Sequence, residues 1–188
     1  ARGVYLHMHG GGWYLGGAAF QNDIRLARLA DDLRVAIVSV DYRLAPEHPW
    51  PAAFDDCLAA ACWLAERAEP ELGCRALVIG GESAGAQLCA ATLLALRGAL
   101  GLAADAALPY RAANLVYGCY DLRGTPSVRA FGARRLVFDR DEFEWCSALY
   151  LGPARAAERA RADAAVSPLP TDTDALRGMP RALFSLGT

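Results

Sequence analysis

Val78-Ile79-Gly80-Gly81-Glu82-Ser83-Ala84-Gly85-Ala86 is the stretch from which the fold can be read. Apolar residues from Ala76 to Ile79 enter it in the manner of a buried strand, and a small-residue run from Ala84 to Arg97 leaves it in the manner of a helix. Ser83 stands at the corner, with Gly81 two residues before it and Gly85 two residues after. A strand-to-helix turn this abrupt crowds the backbone, so those flanking positions must be glycine or nearly so. The corner residue is strained, and its hydroxyl is pushed out above the sheet edge. The helix that follows aims its N-terminal N–H groups and its positive dipole end at the same point. Glycine-serine-glycine clusters are also common in plain loops. Here the strand and helix that a nucleophile elbow requires are both present, and that context favours the elbow.

Upstream, Val4-Tyr5-Leu6-His7-Met8 reads as a strand that runs into His9-Gly10-Gly11-Gly12-Trp13. Consecutive glycines leave backbone N–H groups free to face a ligand oxygen. Neither dinucleotide nor P-loop glycine spacing is present, and the chain has no lysine, which argues against a phosphate loop. His9 is read as a hydrogen-bonded anchor of the loop rather than as a general base. Asn22 or Asp23 is expected to cap a helix to Leu33, with Ile24, Ala27 and Ala30 on its inner face.

The next strand, Val35–Val40, is continuously apolar at its centre, as in a parallel strand covered on both faces. It leads into Asp41-Tyr42-Arg43-Leu44-Ala45-Pro46-Glu47-His48-Pro49-Trp50-Pro51. Asp41, Arg43 and Glu47 are expected to brace this loop by charge pairing, a reading preferred to Asp41 and His48 as acid and base. Phe54, Cys57, Leu58, Ala61, Leu64 and Ala65 recur with helical spacing after Pro51. Glu69 to Gly73 is read as a turn, Arg75–Ile79 as the strand into the elbow and Ala84–Leu100 as the helix out of it. Ala113–Gly118 is a further strand, closing in Cys119-Tyr120-Asp121. From Arg123 to Pro180 no strand is evident. Arg129, Arg134, Arg135 and Arg140 alternate with apolar residues there. A helix from Asp141 turns Phe143, Cys146, Leu149 and Tyr150 inward and stops at Gly152-Pro153. Its aromatics belong to the core or line one wall of a pocket. Arg181–Leu186 is the last strand.

Alternating strands and helices specify an α/β fold with a mostly parallel sheet flanked by helices and right-handed crossovers. Function in such sheets gathers at the carboxyl ends of the strands, where His9–Gly12, Ser83, Asp121 and Thr188 all fall by this reading. The 188 residues suffice for one domain, and the net charge of −2 excludes a polyanion-binding surface built on charge excess, so no nucleic-acid partner is expected. No apolar run approaches the roughly 20 residues of a membrane-spanning helix. Cys57, Cys62, Cys74, Cys89, Cys119 and Cys146 match no zinc spacing and are read as reduced, mostly buried thiols, which favours a reducing compartment, so a cytoplasmic protein is expected.

His9-Gly10-Gly11-Gly12-Trp13, Asp41-Tyr42-Arg43-Leu44-Ala45-Pro46-Glu47-His48-Pro49 and Gly81-Glu82-Ser83-Ala84-Gly85, in that order, resemble the hormone-sensitive-lipase-like esterases of the α/β-hydrolase fold. Fainter matches follow in Tyr150-Leu151-Gly152, Ser167-Pro168-Leu169 and the closing Leu-Gly-Thr. The resemblance implies Ser83 as nucleophile, and an oxyanion hole made by the N–H groups of Gly11, Gly12 and Ala84. His9, Gly10, Gly81 and Gly85 would give structural support. It implies no metal and no cofactor, and a small-molecule ester as substrate. The strands seen here would be the third to seventh of eight, lying in the order 4-3-5-6-7. Residues 1–188 would then be the central part of a single α/β-hydrolase domain, with first strands and cap before Ala1 and with triad acid and histidine after Thr188. The chain departs from the family at Ala86, where a second glycine is usual. Asp121 is the one visible substitute acid, and none of His7, His9 and His48 is placed as the base.

Acyl transfer to water is the expected chemistry. The rival is a ligand-binding protein on the same scaffold: plant hormone receptors that resemble this family keep the serine and lose the histidine. An amide or formamide hydrolase shares the machinery and differs only in the leaving group. Both outer strands, Val35–Val40 and Arg181–Leu186, are apolar and lack the charges or proline that protect natural edges. Each is expected to be covered by further strands of the same chain or by a neighbouring chain, as in a homo-oligomer.

Overall fold

Five parallel strands form one sheet in the order β2-β1-β3-β4-β5. They are β1 (Val4–Met8), β2 (Ala36–Val40), β3 (Leu77–Glu82), β4 (Tyr110–Val116) and β5 (Arg181–Ser185). The computed structural model describes residues 1–18, 23–130, 139–153, 158, 160–169 and 172–186. The expected cap at Asn22, Arg134, Arg135 and the closing Gly187-Thr188 lie outside the described residues. The order agrees with the 4-3-5-6-7 arrangement implied by the family resemblance.

Every residue of β1 is buried, because helices cover both faces of the sheet and β2 and β3 flank its two edges. Right-handed crossovers put α1 (Asp23–Leu33) on one face and α2 (Ala52–Leu72) and α3 (Ala84–Ala99) on the other, where α2 and α3 pack together. Leu6, Met8 and Ile79 meet Cys57, Ala61 and Leu64 of α2 and Leu88, Cys89 and Leu96 of α3 in one core. Alanine is frequent on these helices because it lets them lie close to the sheet without backbone strain.

Three sequence readings are corrected. The inner face of α1 carries Leu26, while Ile24 is 72% exposed and Ala27 is exposed, so the expected stripe is rotated. The segment from Glu69 is not a turn: α2 runs on through Pro70 to Leu72 and stops at Gly73, whose left-handed backbone (φ 65°) donates its N–H to Glu69. A proline is tolerated there because only one i→i−4 bond is forfeited near the helix end. The Asp41–Arg43–Glu47 brace does not form. Arg43 instead makes a bidentate pair with Asp56 of α2, at 2.9 Å from both Nε and Nη2, and Asp41 accepts the N–H of Ala18. The loop is thereby stapled to α2 rather than to itself.

Between residues 123 and 180 the described chain carries a short helix α4 (Pro126–Ala130), then α5 (Arg140–Leu151) and a single 3₁₀ turn at Thr173–Leu176. Asp139 and Glu142 cap α5 reciprocally, which sets its start one residue before the expected Asp141. All six cysteines are free. Among the described residues no helix is long and apolar enough to cross a membrane, and no group of His, Cys, Asp and Glu is placed to hold a metal ion.

Candidate active site

Ser83 adopts φ 55°, ψ −119°, a region rarely occupied by a residue with a side chain, at the junction of β3 and α3. The strain persists because the surroundings hold the corner from several sides. The Ser83 N–H donates to the carbonyl of Val116 on β4, and the Ser83 carbonyl accepts from Ala86 and Gln87. Gly81 and Gly85 let the carboxyl end of β1 come close: a Cβ on Gly85 would lie 2.0 Å from the Met8 carbonyl oxygen and one on Gly81 would lie 2.2 Å from it. Ala84 opens α3, and the N–H groups of Ala84 and Gly85 precede the first intrahelical bonds, which Ala86 and Gln87 make to the Ser83 carbonyl.

The glycine loop leaves β1 beside this corner. A Cβ on Gly10 would sit 3.4 Å from that of Ser83, so the loop's start lies against the serine. Gly11 has φ 115° and Gly12 φ 59°, and Gly11 accepts from Tyr14 and Leu15 in a tight turn. The stretch at Gly11 admits only glycine: a Cβ would stand 2.1 Å from the Leu15 carbonyl oxygen. Trp13 stacks on Tyr150 of α5 at 4.7 Å, and Tyr14 meets Trp145 edge-on at 5.0 Å. The aromatics of α5 thus divide, with Tyr150 in the core and the half-exposed Trp145 beside the loop.

His9 is fully buried, stacked on Tyr42 at 4.1 Å, and its Nδ1–H donates to the Gly10 carbonyl at 2.7 Å. The Tyr42 hydroxyl donates to the His9 carbonyl at 2.7 Å. Burial lowers the His9 pKa from its ordinary value. These contacts tie the His9 ring and backbone to the start of the glycine loop and to Tyr42.

Glu82 is the residue that sequence reasoning passed over. It is buried, and it gathers partners from three elements. Its Oε2 accepts from His7 Nε2 of β1 at 3.0 Å and from Arg25 Nη2 of α1 at 3.1 Å, while Oε1 accepts from the Gly10 N–H at 3.1 Å. Burial works against ionisation, but the bonds from His7 and Gly10 and the Arg25 charge outweigh it and hold the carboxyl below its usual range. The signal available in the sequence was parity. In register, His7 pairs with Ser39 and Gly80, so Glu82, two residues past Gly80, lies on the His7 face of the sheet. Gln87 was likewise read only as a helix residue. It is completely buried, accepts the Trp13 indole N–H at 3.0 Å and donates to the carbonyls of Ala165 and Val166 at 3.0 and 3.1 Å.

Among the described residues no side chain is hydrogen-bonded to the Ser83 hydroxyl. His7 is engaged through both ring nitrogens and His9 through Nδ1, and His48 is exposed on its loop. Asp121 forms a two-pronged pair with Arg123 at 2.9 and 3.0 Å, and that pairing depresses its pKa against a smaller effect of burial. Burial pushes the thiols of Cys57 and Cys89 well above their ordinary value and that of Cys119 to about 11, so none of the three is a nucleophilic thiolate. An apolar cavity of about 300 Å³ lies between α3, β4 and β5, lined by Leu93, Leu115, Met179 and Phe184 among others; no residue of the elbow or the glycine loop lines it.

A positive-φ serine at a strand-to-helix corner, with a glycine loop packed against it, has the geometry of a nucleophile elbow. Comparison with known proteins agrees. A family model described as the alpha/beta hydrolase fold matches residues 5–188. The carboxylesterase NlhH of Mycobacterium tuberculosis is 45% identical over 89 residues, 46% of this chain and 27% of the relative. An ethyl acetate hydrolase of Pseudomonas putida is 35% identical over 147 residues, 77% of this chain and 44% of the relative. A solved esterase of Pyrobaculum calidifontis superposes with TM-score 0.81 at 30% identity, over 97% of this chain and 56% of that one. The chain therefore spans about half the length, or less, of the proteins it matches. On its fold, its elbow and these matches, it belongs to the α/β-hydrolase family of hormone-sensitive-lipase-like esterases.

Proposed function

We propose that the protein of which these residues form part is a serine carboxylic-ester hydrolase acting on small to medium acyl esters through an acyl-enzyme. The observation that carries the reading is the positive-φ Ser83, held at a strand-to-helix corner with the glycine loop against it. Ser83 attacks the ester carbonyl. The N–H groups of Gly11, Gly12 and Ala84 receive the oxyanion, each worth about 10²–10³ in rate. The alcohol leaves, and water releases the acyl group. The base and acid come from outside residues 1–188, because His7, His9, His48 and Asp121 are committed elsewhere or exposed. The curated relatives' names, carboxylesterase and ethyl acetate hydrolase, support an ester substrate.

The test is hydrolysis of p-nitrophenyl acetate by the full-length protein, with mass spectrometry after incubation with an organophosphonate. Ser83→Ala abolishes turnover and labelling, and Asp121→Asn changes turnover little. Labelling at another residue, or a large loss in a folded Asp121→Asn protein, contradicts the assignment. A chain ending at Thr188 retains at most about 10³–10⁴-fold over water, the level left when triad members are lost.

A further inference from the structure

The glycine loop is held at both ends by side chains that the elbow itself supplies. At its start the Gly10 N–H donates to Glu82 Oε1 at 3.1 Å, and Glu82 immediately precedes Ser83. At its end the Trp13 indole N–H donates to Gln87 Oε1 at 3.0 Å, and Gln87 lies one helical turn after Ser83. Gly11 and Gly12, the two residues with no side chain to fix them, lie between these points.

Both clamps are themselves braced. Glu82 is fixed by His7 on β1 and Arg25 on α1, so it cannot swing away from Gly10 without breaking two other bonds. Gln87 has its amide nitrogen engaged by the carbonyls of Ala165 and Val166, which leaves its oxygen in one orientation, toward Trp13. Both side chains are nearly or fully buried, and no competing water reaches them as it would at a surface bond.

We infer that Glu82 and Gln87 are positioning residues that lock the glycine loop to the nucleophile elbow, so that donor N–H groups and the Ser83 hydroxyl keep one spacing. The inference rests on the esterase reading for its consequence in rate, but the locking itself is a property of the chain. Neither side chain touches substrate. Each acts through the loop backbone, and because the loop is short, release of either end displaces the same donors. Misplacement of reacting groups by about 1 Å costs on the order of 10² in rate. The two losses are therefore non-additive, since both free the same segment.

The experiment uses the full-length protein and the variants Glu82→Ala, Gln87→Met, their double and Glu82→Gln, which keeps an oxygen acceptor for Gly10. Trp13→Phe removes the same bond as Gln87→Met from the other side and serves if Gln87→Met does not fold. Three readouts are taken: kcat and KM on p-nitrophenyl acetate, affinity for a short-chain alkyl trifluoromethyl ketone, and amide exchange over residues 9–14. Each truncating variant lowers kcat by about tenfold to a hundredfold with KM nearly unchanged. Ketone affinity falls in parallel, exchange of the loop quickens, the double loses little more than the worse single, and Glu82→Gln loses less than Glu82→Ala. Folded variants with wild-type kcat and wild-type loop exchange overturn the inference, as do losses confined to melting temperature or KM. Absence of wild-type turnover refutes the esterase reading instead, and loop exchange then decides the clamp alone.

Discussion

Two glycines of one helix should respond oppositely to the same substitution. Gly85 lies in the first turn of α3 against the end of β1, and an added Cβ would meet the Met8 carbonyl oxygen at 2.0 Å and that of His9 at 2.6 Å. Ordinary contact begins at 3.4 Å, so the first approach is about 1.4 Å too short. Both opposing atoms are backbone and cannot rotate away, so either α3 lifts or the strand end that carries the glycine loop retreats. Overpacking of this kind costs about 3 kcal/mol, the upper end of its usual range. At about 2–4 °C per kcal/mol for a domain of this size, Gly85→Ala lowers Tm by about 6–12 °C. Because the displaced strand end leads into Gly10–Gly12, kcat falls as well, by on the order of 10² for a shift of about 1 Å. Gly98, near the other end of α3, has nothing within 4 Å of its would-be Cβ and is exposed. Gly98→Ala gains up to about 1 kcal/mol from helix propensity, with kcat unchanged. Thermal unfolding and p-nitrophenyl acetate kinetics on both variants make the comparison. Wild-type stability and turnover in Gly85→Ala would refute the account of close approach at the elbow.

Acid should weaken the protein in part through Glu82. Its folded pKa lies below the ordinary carboxylate value of about 4.3, so its stabilising contribution is whole above that value and is lost as pH falls through the folded value. Urea unfolding between pH 6 and pH 3 should show the gap between wild type and Glu82→Gln closing as pH drops; parallel profiles would contradict the buried cluster. The outer strand β5 carries Leu183 at 64% and Phe184 at 54% exposure, an apolar edge of the kind that pairs with other chains. Residues 1–188 expressed alone should self-associate in sedimentation velocity, and a monomeric species that unfolds cooperatively would show that this edge needs no cover.

The elements whose signal lies in near neighbours were legible from the chain. The elbow follows from residues 76–97 alone, because the strained corner, its flanking glycines and the following helix are stereochemically coupled over a few positions. The strand order and parallel sense followed from alternation of elements together with the family resemblance, and the stripe on α2 from helical register, with Phe54, Cys57, Leu58, Ala61 and Leu64 meeting the core and Ala65 outside it. The face of α1 did not, since its eleven residues place leucine or alanine at 26, 27, 29 and 30, and only docking on the sheet selects Leu26 over Ile24. Polar partners were the least legible. Arg43 had carboxylates two residues before it and four residues after it but bonds Asp56, because the loop is folded back on α2. Glu82 had no partner legible near it in the chain; parallel register sets His7 beside Gly80 and brings Gly10 and Arg25 within reach. Local sequence decides which backbone conformations are affordable. Which donors meet which acceptors depends on atoms far apart in the chain, and only packing of the finished sheet brings them to hydrogen-bond distance.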